Sequence, residues 1–368
     1  CVMEDKLTPA KIKRNLSGER VSLIGGAGFI GLNLAELILR QGDGVVIYDT
    51  GRVPSAAQRH FDSLPGSWTE IHGSVTDEEA VASTLSEQQV SHVYYGATIT
   101  SGPERERDVP ESVLAVNLLG LATMAKSAAK TGVRRLLNIS SGAAYGLPAQ
   151  GGSCALHESR TREQPGTLYS LSKFASEVTL RRIAELTGLD ALSVRLSSIF
   201  GPWERDTGFR DTLSAPMQAS VAAQRGESVI LSRRECRDWT YSRHVAEALV
   251  LLIQIQRPHY DLYNISSGRT WSTADWCDRL RNRFPAFRYR FADSGETANV
   301  DLYTATDRLP LDPGRLQDDT GHHLPDDIDV MFADFETWLD QNPDFWSDEP
   351  AGASPSWSSP RPAGRQSA

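Results

Sequence analysis

The sequence predicts a doubly wound α/β fold, in which helices cover both faces of a parallel sheet, with a smaller C-terminal region. Three observations predict it: short apolar runs alternate with helical patterns as far as residue 200, a glycine-rich turn follows the first run, and an aspartate ends the second. Elements that alternate in this way build parallel sheets. We expect an N-terminal arm at 1–18, the doubly wound domain at 19–200, a region of shorter elements at 201–342 and a disordered tail, rich in Ser, Pro, Gly and Ala, at 343–368.

Six strands are predicted from short apolar runs that are rich in β-branched and aromatic residues. They are expected at 21–24, 45–48, 69–72, 91–95, 135–139 and 190–195. Helical patterns lie between them, and the two longest are expected at 111–131 and 168–187. After about Gly201 the pattern breaks into shorter pieces with Pro and Gly, which suits a region that covers the carboxyl ends of the strands.

The glycine-rich turn is Gly25-Gly26-Ala27-Gly28-Phe29-Ile30-Gly31, between the first strand and the first helix. In that context the motif is typical of dinucleotide binding. Gly25 permits a tight turn, Gly28 the approach of a pyrophosphate to the backbone, and Gly31 close packing of helix on strand. The helix N-terminus then presents N–H groups and its positive dipole end to the phosphates.

Asp49 ends the second predicted strand, eighteen residues after Gly31. A carboxylate there accepts hydrogen bonds from adenosine ribose hydroxyls and repels a 2′-phosphate, which favours NAD over NADP. Arg52, three residues later, could weaken that preference.

Tyr169 and Lys173 lie four residues apart in a predicted helix and therefore share one face. A phenol normally titrates near pKa ~10. A fixed ammonium beside it favours the phenolate and so lowers that pKa. The pair predicts a side chain that exchanges a proton with a hydroxyl group.

These motifs resemble those of the extended short-chain dehydrogenase/reductase family, the NAD-dependent sugar epimerases and dehydratases with a Rossmann-type fold. The resemblance covers about residues 21–339 and is closest to enzymes of the UDP-glucose 4-epimerase kind. It rests on the glycine turn, on Tyr169 to Lys173, on Gly201-Pro202, and on the runs Ser140-Ser141-Gly142-Ala143-Ala144-Tyr145-Gly146 and Arg237-Asp238-Trp239-Thr240-Tyr241. It implies that 19–200 binds NAD and that 201–342 mainly binds substrate.

The resemblance implies a catalytic set in which Tyr169 is the base, Lys173 lowers its pKa and Ser141 orients the reacting oxygen. Relatives that dehydrate or decarboxylate sugars carry acids after the serine, where this chain has Gly142 and Ala143. We therefore expect an epimerase that inverts a sugar hydroxyl carbon through a keto intermediate. The alternative is a dehydrogenase or ketoreductase acting on a free sugar, sugar acid or cyclitol. A binding protein that only senses NAD would require this set to be idle.

The resemblance also implies contacts with the two ligands. Asp77 is expected either near the adenine or as a helix N-cap. Arg237 is expected to bind a pyrophosphate or to pair with Asp238. Arg205 and Arg210 contact phosphate or carboxylate, or pair with neighbouring aspartates. The expected cofactor-binding residues are Gly25, Gly28, Phe29, Ile30, Gly31, Asp49, Ser74, Val75, Tyr95, Ala97, Asn117, Tyr169 and Lys173, and the expected substrate-binding residues are Thr98, Ser141, Gly142, Ser198, Arg205, Arg210 and Arg237.

Composition limits the other partners. The net charge is −9 and no long basic block occurs, which argues against nucleic acid. We expect no membrane helix, because no apolar run in the sequence approaches the ~20 residues that such a helix needs. The histidines lack an ordered partner set, so no metal is expected. Four scattered cysteines suggest a reduced compartment, hence a cytoplasmic enzyme. By resemblance, a homodimer is expected to form through the helices at 111–131 and 168–187.

Overall fold

The computed structural model describes residues 18–146, 155–208 and 212–346. Most of the predicted arm, most of the predicted tail and Arg210 lie outside the described residues. The strands in the described part are β1 (Arg20–Ile24), β2 (Gly44–Asp49), β3 (Ser67–His72), β4 (His92–Tyr95), β5 (Arg135–Ser141), β6 (Asp190–Leu196), β7 (Ser198–Phe200), β8 (Val229–Leu231), β9 (Trp239–Tyr241), β10 (Leu262–Ile265) and β11 (Tyr289–Phe291).

Helices connect these strands. They are α1 (Phe29–Arg40), α2 (Ser55–Asp62), α3 (Glu78–Glu87), α4 (Pro103–Asp108), α5 (Pro110–Leu114), α6 (Leu121–Thr131), α7 (Leu168–Thr187), α8 (Ala215–Gln224), α9 (Ser242–Gln254), α10 (Thr273–Arg283), α11 (Gly314–Thr320) and α12 (Ile328–Gln341). A π-helical turn, Ala115–Gly120, joins α5 to α6. The helix predicted at 111–131 is therefore one continuous helix that contains an irregular turn.

The central sheet is parallel throughout, with the strand order β10-β6-β5-β4-β1-β2-β3. This confirms the doubly wound fold, and all six predicted strands are present. The order reverses between β1 and β4, which is where such sheets bind ligands at the carboxyl ends of their strands. The described residues also form two small two-stranded sheets, β7-β9 and β8-β11.

The predicted boundary at residue 200 does not separate the two regions. Strand β10 comes from the C-terminal region and completes the central sheet by pairing with β6. Helix α9 also returns to that sheet and packs against α1. The segment 201–342 therefore contributes to both the sheet and the cover over its edge.

A buried carboxylate, Glu36, holds α1 against the C-terminal region. Its oxygens accept hydrogen bonds from Arg40 at 2.5 Å, from Arg243 at 2.9 Å and from the Trp203 indole at 2.6 Å. His60 lies 3.4 Å away. Burial raises the pKa of Glu36, but these partners outweigh it and lower that pKa to about 2. The ionised form of Glu36 is therefore the form that stabilises the fold.

The boundary predicted for the disordered tail, at residue 343, is wrong because Phe345 and Trp346 are packed in the core. Phe345 and Trp346 are buried, with 5% and 7% exposure. The Phe345 ring lies 5.4 Å from that of Trp203, and the Trp346 indole donates a hydrogen bond to the carbonyl of Glu204 at 2.9 Å. These aromatic side chains pack against the core because burying them removes a large apolar area from water.

The continuous helix at Pro110–Thr131 is the one helix in the described residues that is long and apolar enough to cross a membrane. The expectation that no such apolar run exists was therefore wrong. Nearly half of its most apolar stretch, 44%, is buried inside the protein, where it packs against α3 and α7. Core helices pass the same test of length and composition, so this helix supports no membrane assignment.

Candidate active site

A cavity of about 1310 Å³ lies at the carboxyl ends of the central strands. Its walls come from the glycine turn after β1, from Asp49 after β2, from the loop after β4, from the end of β5 and from the start of α7. Pockets for single drug-sized ligands typically measure ~300–1,000 Å³. The cavity therefore has room for a dinucleotide and a second ligand.

The glycine turn has the geometry that the sequence predicted. Gly25 has φ +75°, and a Cβ there would lie 2.6 Å from the Ala97 nitrogen. A Cβ on Gly31 would lie 2.5 Å from the Gly26 Cα, so Gly31 packs against the turn itself. A Cβ on Gly28 would approach only the Gly25 carbonyl, at 3.2 Å. Within the described residues no side chain caps α1 at Gly28, which leaves that helix end open to a phosphate.

Asp49 lies beside the turn at the rim of the cavity. Its carboxylate accepts hydrogen bonds from the backbone N–H groups of Ala27 at 2.9 Å and Gly51 at 2.8 Å. Its position next to the turn fits recognition of a ribose diol. Arg52 also lines the cavity, and its exposed guanidinium lies 3.7 Å from Glu70.

Arg205, expected to bind substrate, lines the cavity where it meets the glycine turn. Its guanidinium donates to the carbonyls of Ala27 and Arg52, both at 3.3 Å. The loop that carries it is held there because the neighbouring Trp203 bonds to Glu36. Arg205 thus connects the C-terminal region to the glycine turn.

The predicted catalytic residues meet in the same cavity. Tyr169 and Lys173 lie in the first turns of α7, and the Lys173 ammonium is 5.9 Å from the centre of the Tyr169 ring. Ser141 ends β5, and its hydroxyl oxygen accepts a hydrogen bond from the Ala143 N–H at 3.1 Å. That bond uses a lone pair of the hydroxyl, so its proton can still be donated to a substrate oxygen. Capping and catalysis are therefore compatible at Ser141.

Lys173 is fixed and buried. Its ammonium donates to the Ile139 carbonyl at 2.8 Å. Burial lowers the pKa of Lys173 to about 8, against the opposing charge of Glu177 one turn further along α7. Glu177 is itself held by Arg195 at 2.7 Å. The protonation of Lys173 therefore changes with pH near neutrality, and the charge of Glu177 favours its protonated form.

We expect turnover to fall as pH rises through about 8, because the ammonium of Lys173 is lost there. Glu177→Gln removes the charge that raises the pKa of Lys173 and should move this decline by about 1 pH unit to lower pH. The pH dependence of kcat/KM measures it. Glu185→Gln, an exposed carboxylate on the same helix that pairs with Arg182, is the matched control. A midpoint that stays in place or rises in Glu177→Gln would contradict this role.

Tyr95 and Asn117, both expected to contact the cofactor, are absent from the cavity lining. Tyr95 is buried and its hydroxyl donates to the Val116 carbonyl at 2.6 Å. Asn117 accepts a hydrogen bond from the Ile99 N–H at 2.8 Å and donates to Ser172 at 3.0 Å. Asn117 therefore fixes the loop after β4, and Tyr95 ties the end of β4 to the π-helical turn.

The other expected contacts line the cavity, apart from Arg210, which lies outside the described residues. The residues expected to bind the cofactor that line it are Gly25, Gly28, Phe29, Ile30, Gly31, Asp49, Ser74, Val75, Ala97, Tyr169 and Lys173, and those expected to bind substrate are Thr98, Ser141, Gly142, Ser198, Arg205 and Arg237. Asp77 does not line it. Its carboxylate accepts from the Ala80 N–H at 3.0 Å, which confirms the N-cap interpretation.

Arg237 does not pair with Asp238, which was one of its two expected roles. Its guanidinium donates to the Leu302 carbonyl and to the Thr304 hydroxyl, both at 2.8 Å. Asp238 instead accepts from Ser266 at 2.7 Å and from the Leu311 N–H at 2.9 Å. The charge of Arg237 therefore remains available to a ligand in the cavity.

Sequence reasoning missed the segment that closes the substrate end of the cavity. Tyr303, Thr304, Arg308, Leu309 and Leu311 line it, more than 100 residues after the catalytic motifs. A Cβ on Gly142 would lie 3.2 Å from Leu311, so a larger residue after Ser141 would crowd this segment. The only signal in the sequence was an arginine within an irregular stretch, which has no periodic pattern to place it.

The fold and the site define a class of protein: enzymes that hold a dinucleotide over a parallel sheet and place a serine, a tyrosine and a lysine beside it. A family comparison agrees, because the sequence model of the NAD dependent epimerase/dehydratase family matches residues 21–266. The chain belongs to this family, and NAD is its cofactor.

The curated relatives include both epimerases and dehydratases. UDP-glucose 4-epimerase of Mycolicibacterium smegmatis is 26% identical over 233 residues, which are 63% of this chain and 72% of that protein. The dTDP-glucose 4,6-dehydratase of Mycobacterium tuberculosis is 25% identical over 338 residues, 89% of each chain. Two other curated relatives are matched over only 46% and 51% of their own length.

The fold is also seen in solved structures. The UDP-glucose 4-epimerase of Thermotoga maritima, crystallised with UDP-glucose, superposes with a TM-score of 0.71 over 88% of this chain and 99% of that one, at 20% identity. At that identity the likeness shows the shared fold alone.

Proposed function

We propose that this enzyme is an epimerase, which inverts a hydroxyl-bearing carbon of a sugar carried by a nucleotide. One observation carries the proposal: among the described residues that line the cavity, only Asp49 and Asp238 have a carboxyl group. Asp49 lies at the glycine turn, and Asp238 is occupied by hydrogen bonds from Ser266, Leu311 and Thr240. Elimination of water from a sugar needs an acid beside the substrate, and Gly142 and Ala143 supply none. Epimerisation needs no such group.

The chain's own side chains account for the proton transfers. Tyr169 removes the proton from the reacting hydroxyl as a general base, and Lys173 stabilises the phenolate that does so. Ser141 donates a hydrogen bond to the same oxygen and holds it against Tyr169. NAD, when bound, supplies hydride acceptance and return. After the ketone has turned within the cavity, Tyr169 returns the proton to the oxygen. The carbon that bears this oxygen then has the opposite configuration.

The size of the cavity and the positive charge of Arg237 support a substrate that carries a nucleotide. The cavity of about 1310 Å³ is larger than the ~300–1,000 Å³ typical of a pocket for one drug-sized ligand. Arg237 offers a guanidinium fork that suits phosphate oxygens. Ser198 also lines the cavity and offers a hydroxyl as a hydrogen-bond donor. Several curated relatives are named for UDP or dTDP sugars, and two others are named for sterols.

The test begins with the purified protein, which is denatured and assayed for released nicotinamide cofactor. Near-stoichiometric NAD, followed by interconversion of paired UDP-sugars without net NADH production, is the expected result. Protein that binds NAD only reversibly and accumulates NADH with a free sugar, sugar acid or cyclitol is the result expected of the alternative dehydrogenase. A dehydrated product from a dTDP-sugar would exclude both.

We also infer a homodimer, formed through α7 and the neighbouring π-helical turn. Leu171, Val178 and Leu186 recur at helical spacing on α7 and are exposed by 46%, 47% and 67%. Leu119 on the adjacent turn is 61% exposed. Such a row of exposed apolar side chains is typical of an association surface.

Val178→Glu combined with Leu186→Glu should convert the dimer into a monomer, because two carboxylates would be buried at the contact without partners. Size-exclusion chromatography with light scattering measures the mass. Val330→Glu is the matched control, since Val330 is 57% exposed on α12, away from α7. A wild-type monomer would overturn the inference.

A further inference from the structure

Tyr169 is the second residue of α7, so the position of its ring depends on how the start of that helix is held. The first N–H groups of a helix have no partner within it. The Thr167 hydroxyl satisfies one of them, because it accepts a hydrogen bond from the Ser170 N–H at 3.1 Å. The N–H of Leu168, next to Tyr169, needs a partner from another part of the chain, and α7 has no acidic residue in its own first turn.

Glu106 in α4, 62 residues earlier, is that partner. Its carboxylate oxygen accepts a hydrogen bond from the Leu168 N–H at 2.8 Å. The same oxygen accepts another from the Ser101 hydroxyl at 3.2 Å, and Ser101 lines the cavity in the loop after β4. One carboxylate therefore joins the start of the helix that carries Tyr169 to a second part of the cavity wall. Its negative charge also complements the positive end of the helix dipole.

Helix α4, which carries Glu106, is itself anchored to two neighbouring segments of the chain. Arg105 donates to the Thr100 carbonyl at 2.8 Å and to the Gly208 carbonyl at 2.9 Å. Asn117 also fixes the loop that contains Thr100. Glu106 therefore acts from an anchored segment, as a group that positions a reacting side chain must.

We propose that Glu106 is a positioning residue for the reaction, because it holds the first turn of α7 and with it the Tyr169 phenol. This inference rests on the proposed function, in which Tyr169 is the base. Proton transfer needs the phenol oxygen and the substrate oxygen within ~2.6–3.2 Å of each other. A displacement of ~1 Å can cost about 10²-fold in rate. Freeing the start of α7 should therefore slow turnover, although no group that takes part in the reaction is removed.

The experiment compares Glu106→Ala with Glu106→Gln and with the control Glu104→Ala, which changes an exposed carboxylate on the same helix. Glutamine keeps an oxygen that accepts a hydrogen bond from the Leu168 N–H, whereas alanine has none. Per NAD-loaded site, Glu106→Ala should lower kcat by about 10–10²-fold and change KM by less than about twofold. Glu106→Gln should restore kcat to within about threefold of the wild type, and the control should match the wild type.

Hydrogen exchange followed by mass spectrometry measures the hold on α7 without any substrate. In a peptide that spans residues 165–172, Glu106→Ala should speed the exchange of the protected amides by about 5-fold, the effect of losing one helix cap. Glu106→Gln should keep most of the protection, and Glu104→Ala should keep all of it.

Three results would overturn the inference. Glu106→Ala exchanges and turns over like the wild type. Glu106→Gln is as slow as Glu106→Ala, in which case the charge of Glu106 and not its hydrogen bond matters. Glu106→Ala loses turnover only in proportion to its loss of folded, NAD-loaded protein, which is what a merely structural role predicts.

The two readouts separate this inference from the proposed reaction. If the wild type is a dehydrogenase, NADH production compares the same variants, because Tyr169 is the base of that reaction too. If the wild type turns over no sugar, the proposed reaction falls and hydrogen exchange alone decides whether Glu106 holds α7. Full epimerisation by Glu106→Ala leaves the reaction standing and removes the positioning role.

Discussion

Tyr169→Phe should reduce turnover by about 10²–10⁴-fold while the protein keeps its NAD and its melting temperature. The phenol is the one group in the proposed mechanism that carries the proton between the substrate oxygen and the enzyme. Phenylalanine keeps the ring against Lys173 but has no oxygen to accept that proton. Steady-state epimerisation of the preferred sugar, followed by chromatography of the two epimers, measures the loss.

The control is Tyr289→Phe. The hydroxyl of Tyr289 bonds to Asp278 at 2.7 Å and lies away from the cavity, so turnover should stay at the wild-type level. A Tyr169→Phe enzyme with full turnover would rule out the proposed base. A Tyr169→Phe enzyme that had lost NAD would show instead that the tyrosine holds the cofactor.

The largest effect on stability should come from Glu36→Gln, which we expect to cost about 3 kcal/mol at pH 7. Two arguments agree on this size. Lowering the pKa of Glu36 from 4.5 to about 2 corresponds to about 3 kcal/mol of preference for the ionised form. Removing one charge from a buried ion pair costs ~3–5 kcal/mol, because Arg243 is left without this partner.

The sign of the pH dependence follows from the lowered pKa. The contribution of Glu36 is complete above the unfolded value near 4.5 and is lost as pH falls through about 2. The difference in unfolding free energy between wild type and Glu36→Gln should therefore shrink between pH 4.5 and pH 2. Urea titrations at several pH values measure it. Glu78→Gln, an exposed carboxylate paired with Lys126, should match the wild type throughout, and a constant difference for Glu36→Gln would contradict the argument.

Local motifs allowed much of the site to be predicted. The strand, turn and helix around Gly25 to Gly31 are contiguous, so their geometry follows from the spacing of three glycines. Tyr169 and Lys173 share a helix face for the same reason. The fold followed from the alternation of strands and helices, which is also a local pattern.

What the sequence could not reveal depends on contacts between distant segments. Strand β10 pairs with β6, about 70 residues earlier, and nothing in Leu262–Ile265 marks that partner. Arg308 follows an irregular stretch that includes Tyr303 with φ 65°, where periodicity gives no direction for a side chain. Phe345 and Trp346 stand at the edge of a segment whose average composition conceals two aromatic anchors.

Those two aromatic residues, at the end of the described residues, support the loop that meets the glycine turn. Trp346 bonds to Glu204, and the next residue, Arg205, bonds to the glycine turn and to Arg52. A protease that trimmed the chain back to Asn342 would remove the support beneath this loop without touching a catalytic side chain. The shortened enzyme should release NAD faster and lose activity on dilution, and added NAD should restore it.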